Sequence, residues 1–381
     1  MNAVTPEQVR EIIDRSYQLE EGDSKIMLLE EAVRLADICG DFSLAYDARE
    51  LLINAATFGG APEKALVAYS WCLAQFDRRG AAEGIDEWLL LWMYKWILNN
   101  VTSFPQISKA QIEEMLDDMA ARYRRAGYSL RPNYMLRNRI YKFWDETKAG
   151  EFFRKSQETY RDLASDCAAC ELDEEVSFAL RQSRDAEAVS LAAPIIQGRL
   201  RCDSVPHITF ANLLLPLLRL GRMDEAVSLH LQGYRLIARG SKGYVSSVAD
   251  HLAFLVLTEN FDRAVRIFEK HLPDASSLAD LAAKFDYYIA SWLLLDALHE
   301  GGRETLKLRL PRPLEVYEES GAYRTTRLAA WFLQHAQTLA ARFDARNESD
   351  FYARRIRETA ALKQLARSHP IRETEEEYTG G

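Results

Sequence analysis

Polar and apolar positions fall into a repeating phrase between Ser183 and Val265: SRDAEAV ends at Val189, GRMDEAV at Val227 and NFDRAV at Val265. Within it Ala188, Ala226 and Ala264 stand 38 residues apart. Each opens an amphipathic run that follows a polar turn and another apolar run. A fixed period of roughly 35 to 45 residues built from helix, turn and helix marks a solenoid, in which each hairpin buries its apolar face only against its neighbours. The pattern predicts an all-α chain of antiparallel helix hairpins.

The same grammar extends in both directions. Thr5-Pro6-Glu7 reads as a helix start, with Thr as cap and Pro in the first turn. Leu28, Leu29, Ala32, Val33, Leu35 and Ala36 then repeat at helical spacing. Ala45 to Thr57 and Glu63 to Phe76 form a second hairpin around Gly59-Gly60-Ala61-Pro62, where glycine ends one helix and proline begins the next. Trp88, Trp92 and Trp96 recur every four residues and so share one helical face, which is either a packing stripe or the wall of a ligand groove. Ser108 caps the helix that Gly127 closes, Pro132 starts another, and a turn is expected at Lys148-Ala149-Gly150.

Toward the C-terminus the pattern changes. ETLKLRLPRPLEVYEESGAY holds two prolines and short alternation, which suits an extended insertion over 303–324, either tolerated or acting as a lid. A charged closing hairpin is expected over 325–366 and a disordered acidic tail over 367–381. The expected organisation is one continuous array over 1–366, with its clearest repeats at 41–78 and 167–272.

The hairpins resemble the tetratricopeptide repeat family, in a long-helix variant. Phe210, Leu213, Leu214 and Leu217 match the family's first-helix positions, Gly221 its turn and Ala226 its small second-helix residue. Leu52, Ile53 and Ala56 before Gly60, with Ala65, Tyr69 and Cys72 after it, make a second copy. Glu175 and His251 depart from the pattern by standing where the family prefers leucine. The resemblance implies a right-handed superhelical α-solenoid whose first helices line a concave groove for an extended peptide.

Composition narrows the function. At 381 residues, with 48% hydrophobic and 28% charged residues, the chain has ordinary globular composition, and no apolar run approaches bilayer-spanning length. The N-terminal stretch lacks the basic start and apolar centre of a secretion signal, and five cysteines do not make a disulfide framework, so a reducing cytoplasm is expected. A net charge of −9 argues against general nucleic-acid binding. Phosphate-loop, dinucleotide, H-E-x-x-H and G-x-S-x-G signatures are absent, and His299-Glu300 lacks a second metal ligand beside it. No catalytic constellation is visible.

Two places carry candidate chemistry. Met119 to Trp144 holds seven basic residues and no Asp or Glu, interleaved with aromatics. Tyr134, Arg137, Asn138 and Tyr141 share the helix begun by Pro132, at offsets of three and four, and Arg131 stands just before it. Guanidinium forks beside flat aromatic surface suit an acidic segment of a protein or peptide partner. The alternative is that these arginines pair with Glu113, Glu114, Asp117 and Asp118. By position in first helices, the resemblance adds Asn54 and Asn212 as amides that would hold a peptide backbone.

The second place is Cys167, Cys170, Cys202 and His207, a set that could hold one structural zinc ion. Both pairs precede first helices of adjacent hairpins. Plain packing and a redox pair are the other readings of the cysteines. The functional expectation is a non-catalytic scaffold or adaptor that holds a partner segment in the groove. The alternatives are a peptide-sensing regulator, for which residues 1 to 40 are short for a separate effector domain, and a hydrolase with zinc on the Cys and His cluster.

Overall fold

The computed structural model describes residues 4–80, 84–238 and 242–371. Among these the chain forms eighteen α-helices and one two-stranded hairpin, and no helix is long and apolar enough to cross a membrane. It falls into two compact units, residues 1–165 with 278–281, and 166–277 with 282–381.

The first unit holds α1 (Pro6–Ser16), α2 (Asp23–Cys39), α3 (Phe42–Phe58), α4 (Pro62–Arg79), α5 (Glu87–Asn100), α6 (Lys109–Arg125), α7 (Arg131–Tyr141) and α8 (Glu146–Glu158). Local chemistry sets the boundaries. Thr5 and Gln8 form a capping box ahead of α1, Ser108 and Gln111 another ahead of α6, and Asp41 and Asp86 accept the orphan amides of Leu44 and Leu89. Each helix packs on its sequence neighbour, and α1, α3, α5 and α7 also pack on one another in order. Their core includes Ile53, Ala56, Ala65, Tyr69 and Cys72, all buried.

One boundary differs from the expected one. Residues 148–150 are inside α8, because the Asp145 carboxylate accepts from the Lys148 amide and caps a helix that starts earlier. The turn falls just before Asp145, and Ala149 is fully buried.

The second unit holds α9 (Ala168–Arg181), α10 (Asp185–Leu191), α11 (Ala193–Ile196), α12 (His207–Arg219), α13 (Met223–Ile237), α14 (Val245–Leu257), α15 (Phe261–Ser277), α16 (Leu281–Glu300), α17 (Thr325–Asn347) and α18 (Phe351–Ala361). The 38-residue beat is written in its backbone. Ser183, Gly221 and Glu259 occupy the same turn position, with φ of 56°, 70° and 57°. The amide after each reaches back to close the preceding helix: Arg184 to the Ala179 carbonyl, Arg222 to Leu217 and Asn260 to Leu255. Ala188, Ala226 and Ala264 are all fully buried, as small residues at helix contacts must be.

The insertion after α16 is a short hairpin. β1 (Thr305–Lys307) pairs antiparallel with β2 (Ala322–Arg324), placing Leu306 opposite Tyr323. The Tyr323 hydroxyl accepts from the Glu318 amide and donates to its carbonyl, tying the loop back on itself. Residues 367–371 lie along the turn between α14 and α15. The Arg367 and His369 amides donate to Leu257 and Thr258 carbonyls, and Asn260 brackets His369 and Ile371. The rest of the expected tail, 372–381, is outside the described residues.

Candidate functional site

Four of the seven cations of the basic stretch, Arg122, Arg131, Arg137 and Arg139, donate to other residues of the chain, while Arg124 and Arg125 are exposed. Arg137 is buried; its Nη2 donates to Asp117 Oδ1 at 2.5 Å and its Nε to Asn133 Oδ1 at 2.9 Å. Arg131 is buried and donates to the Ser156 and Thr159 carbonyls at 2.5 and 3.0 Å, closing the end of α8. Tyr141 is buried and donates to Glu113 Oε1 at 3.3 Å, Asn138 is fully buried, and Tyr134 stacks on Phe152. Arg122 pairs with both Asp77 and Asp118. The acidic face of α6 thus takes up Arg137 and Tyr141 and the end of α8 takes up Arg131, so Arg131, Tyr134, Arg137, Asn138 and Tyr141 are brought together as a packed contact of α6, α7 and α8. They do not form an open ligand surface in this unit. Asn212 is half-buried on α12 in the other unit.

Asn54 lies elsewhere in the first unit, in a groove of about 600 Å³ formed by α1, α3 and α5. These are the first helices of three successive hairpins. Ile13 and Asp14 come from α1 and Tyr17 from just after its end, then Asp47, Glu50, Leu51 and Asn54 from α3, and Leu89, Met93 and Trp96 from α5. On α3 the four sit at helical offsets of three, four and seven, which gives that helix a single groove-facing stripe.

The tryptophan stripe on α5 divides. Trp88 stacks on Trp92 with ring centres 5.2 Å apart, and Lys95 covers Trp92 while donating to the Ala164 carbonyl. Trp96 makes an edge contact with Phe58 and walls the groove.

Burial pushes the Glu50 carboxyl up to about 7, and the Asp47 and Asp86 carboxylates beside it act in the same direction. Asp47 is raised too, by burial and then by Asp41. Sequence reasoning passed over these acids. The signal available was their placement with Leu51 and Asn54 on one face of α3.

The cysteine set assembles in part. Cys167 is the N-cap of α9 and its Sγ accepts from the Cys170 amide at 3.4 Å. Cys170 and Cys202, 32 positions apart in sequence, hold their sulfurs 3.2 Å from each other. The three Sγ atoms lie within 4.8 Å of one another, close enough to bind a metal ion. Tetrahedral zinc with Zn–S near 2.3 Å needs sulfurs roughly 3.8 Å apart, within the span observed. Burial, followed by the sulfurs of Cys202 and Cys167, raises the Cys170 thiol.

His207 stands outside this group of three. Its ring is stacked on Tyr244 at 5.2 Å, and its buried Nδ1 has no partner. Burial lowers its pKa.

No protein-family model matches the chain, and no curated protein matches it in sequence, so the reading of these sites rests on their own geometry.

Proposed function

We propose that this chain is a tetratricopeptide-like, right-handed superhelical α-solenoid of antiparallel hairpins that works in the cytoplasm as a non-catalytic scaffold, holding a segment of a protein or peptide partner. The observation that carries this reading is the groove along α1, α3 and α5. It has apolar and aromatic walls in Leu51, Met93 and Trp96 and a half-buried amide in Asn54 to satisfy a ligand backbone. The acidic partner expected from the stretch 119–144 loses most of its support, because Arg122, Arg131, Arg137 and Arg139 already have protein partners. Cys167, Cys170 and Cys202 are read as ligands of one structural zinc ion that fastens the start of α9 to the segment before α12.

The partner site is tested by photo-crosslinking from an unnatural aromatic amino acid placed at Leu51 or Trp96, against the same residue at Val67, which is 72% exposed on α4. Crosslinks to one defined segment from the groove positions, with none from position 67, are expected. Equal labelling from all three positions would remove the groove from the function.

A further inference from the structure

The groove carries an unbalanced charge. Asp14, Asp47 and Glu50 line it, and none of the three has a hydrogen bond or an ion pair among the described residues. Arg10 is the basic residue of the lining, and it sits 3.5 Å from Glu7, which does not line the groove. Glu50 is half-buried, whereas Asp47 is exposed. Its ionised form has therefore lost part of its hydration, with Asp47 on its own helix and Asp86 at the start of α5 disfavouring it further. A cation arriving beside it would reverse that penalty.

The walls define what carries the cation. Leu51, Met93 and Trp96 offer apolar and aromatic surface next to the carboxylates, the environment in which the stem of a lysine or arginine packs while its head is paired. Packed helices stand about 8 to 10 Å apart. A groove crossing three of them is therefore roughly 20 Å long, which an extended segment of about six residues spans.

We propose that the groove binds an extended peptide segment bearing a lysine or arginine, whose cation pairs with Glu50 and whose stem packs on Leu51, Met93 and Trp96. This rests on the reading of the groove as the partner site and supplies its chemistry. An acidic segment is repelled by the same three carboxylates. Binding also favours ionised Glu50, so affinity falls as pH drops through 7, with Arg10, Asp14, Asp47 and Asp86 as the other charged groups around it.

The test is a positional-scanning hexapeptide library on the full-length chain, with spermidine as the free-polyamine probe. Two variants report on the site. Glu50→Gln removes an unpaired half-buried charge and should fold normally. Asn54→Arg sets a cation four residues from Glu50, where it competes for the same carboxylate.

The expected result is a preference for Lys or Arg at one position. Affinity for the best peptide should fall at least about tenfold in either variant, and about tenfold from pH 8 to pH 6 in the wild type alone. Peptides that bind and are blocked by Asn54→Arg, without preference for a basic side chain, would overturn the cation and leave the groove standing. Spermidine binding with no peptide preference would likewise overturn it, since the ligand would then be a free amine. If no peptide binds, or if Asn54→Arg has no effect on those that do, the inference and the groove reading fail together.

Discussion

His230 and His251 face each other across the contact of α13 with α14, Nδ1 to Nδ1 at 3.0 Å, and neither is exposed by more than 1%. One ring must donate and the other accept, so the pair holds only while at least one ring is neutral, and burial disfavours a charge on either. His271 on α15 completes the cluster, its Nε2 3.0 Å from the Tyr234 hydroxyl. Burial depresses all three: His230 falls well below its ordinary value, helped by His251 and Arg263, His251 falls to about 3, helped by His271, and His271 to about 4, where Lys270 opposes and Asp274 favours the charge.

A pH dependence follows from the sign of these shifts. The unfolded chain binds protons on these rings near pH 6.5 and the folded chain does not. The stability they confer is therefore complete above about pH 6.5 and is lost as pH falls toward 4 and then 3, about 2 kcal/mol per ring by pH 5. Thermal melts between pH 7.5 and 5 should show a steep fall that His271→Asn makes shallower. A melting temperature that is flat over that range would contradict the neutral cluster.

The repeated turn makes a second prediction. Ser183, Gly221 and Glu259 share the left-handed conformation, yet only the middle one is glycine. A side chain in that region costs roughly 1 to 2 kcal/mol, and space around Gly221 is open, so conformation alone decides the effect there. Glu259→Gly should raise stability by up to about 1 kcal/mol, and Gly221→Ala should lower it by about as much. Urea unfolding of both variants checks the pair; shifts of the same sign would mean that contacts rather than φ control this turn.

These elements show what was legible in the sequence. The period of the alanines, the capping residues and the glycine and proline turns act through residues close in the chain, so pattern alone located the helices. Arg137 is the contrary case. Its partner Asp117 lies 20 positions away on another helix, so the sequence left both a cationic patch and pairing with the acids of α6 open, and for Arg137 the pairing is what forms. Trp88, Trp92 and Trp96 were rightly placed along α5, but periodicity does not say which part of a stripe a neighbour covers. The acids of the groove were missed for the same reason: Glu50 matters through the helices on either side of α3. Cys170 and Cys202 met as the repeat period implied, while the ring of His207 went to Tyr244.

The pairing of Arg137 predicts a structural phenotype. Arg137→Ala removes a buried guanidinium from Asp117, Asn133 and the face of Phe152, and should destabilise the protein by about 1 to 3 kcal/mol. Asp117→Asn should cost less than about 1 kcal/mol, because that side chain is 76% exposed and water replaces what it loses. Denaturant unfolding distinguishes this from a ligand-binding arginine, whose removal would leave stability within about 0.5 kcal/mol of wild type.

The cysteine cluster gives the last prediction. Three sulfurs within 4.8 Å, two of them 3.2 Å apart, are too close for three thiolates without a cation, and a zinc ion would hold them roughly 3.8 Å from one another. His207 does not reach the group, so the fourth position falls to water or to a side chain that moves in on binding. Protein purified without a histidine tag, under reducing conditions, should hold close to one equivalent of zinc. Cys202→Ser should lose most of that metal and melt at a lower temperature, because the ion would link the start of α9 to a segment more than 30 residues on and chelation would then contribute directly to folding. Cys72 is buried and belongs to the core, but Cys39 is half-buried, so thiol labelling of the native protein is read at Cys167, Cys170 and Cys202 in a Cys39→Ser background. These three should be slow to react until zinc is chelated. Less than about a tenth of an equivalent of zinc, with all three thiols reacting at once, would assign the cluster to packing. A disulfide between Cys170 and Cys202 in protein isolated under air, with no metal, would assign it to redox chemistry instead.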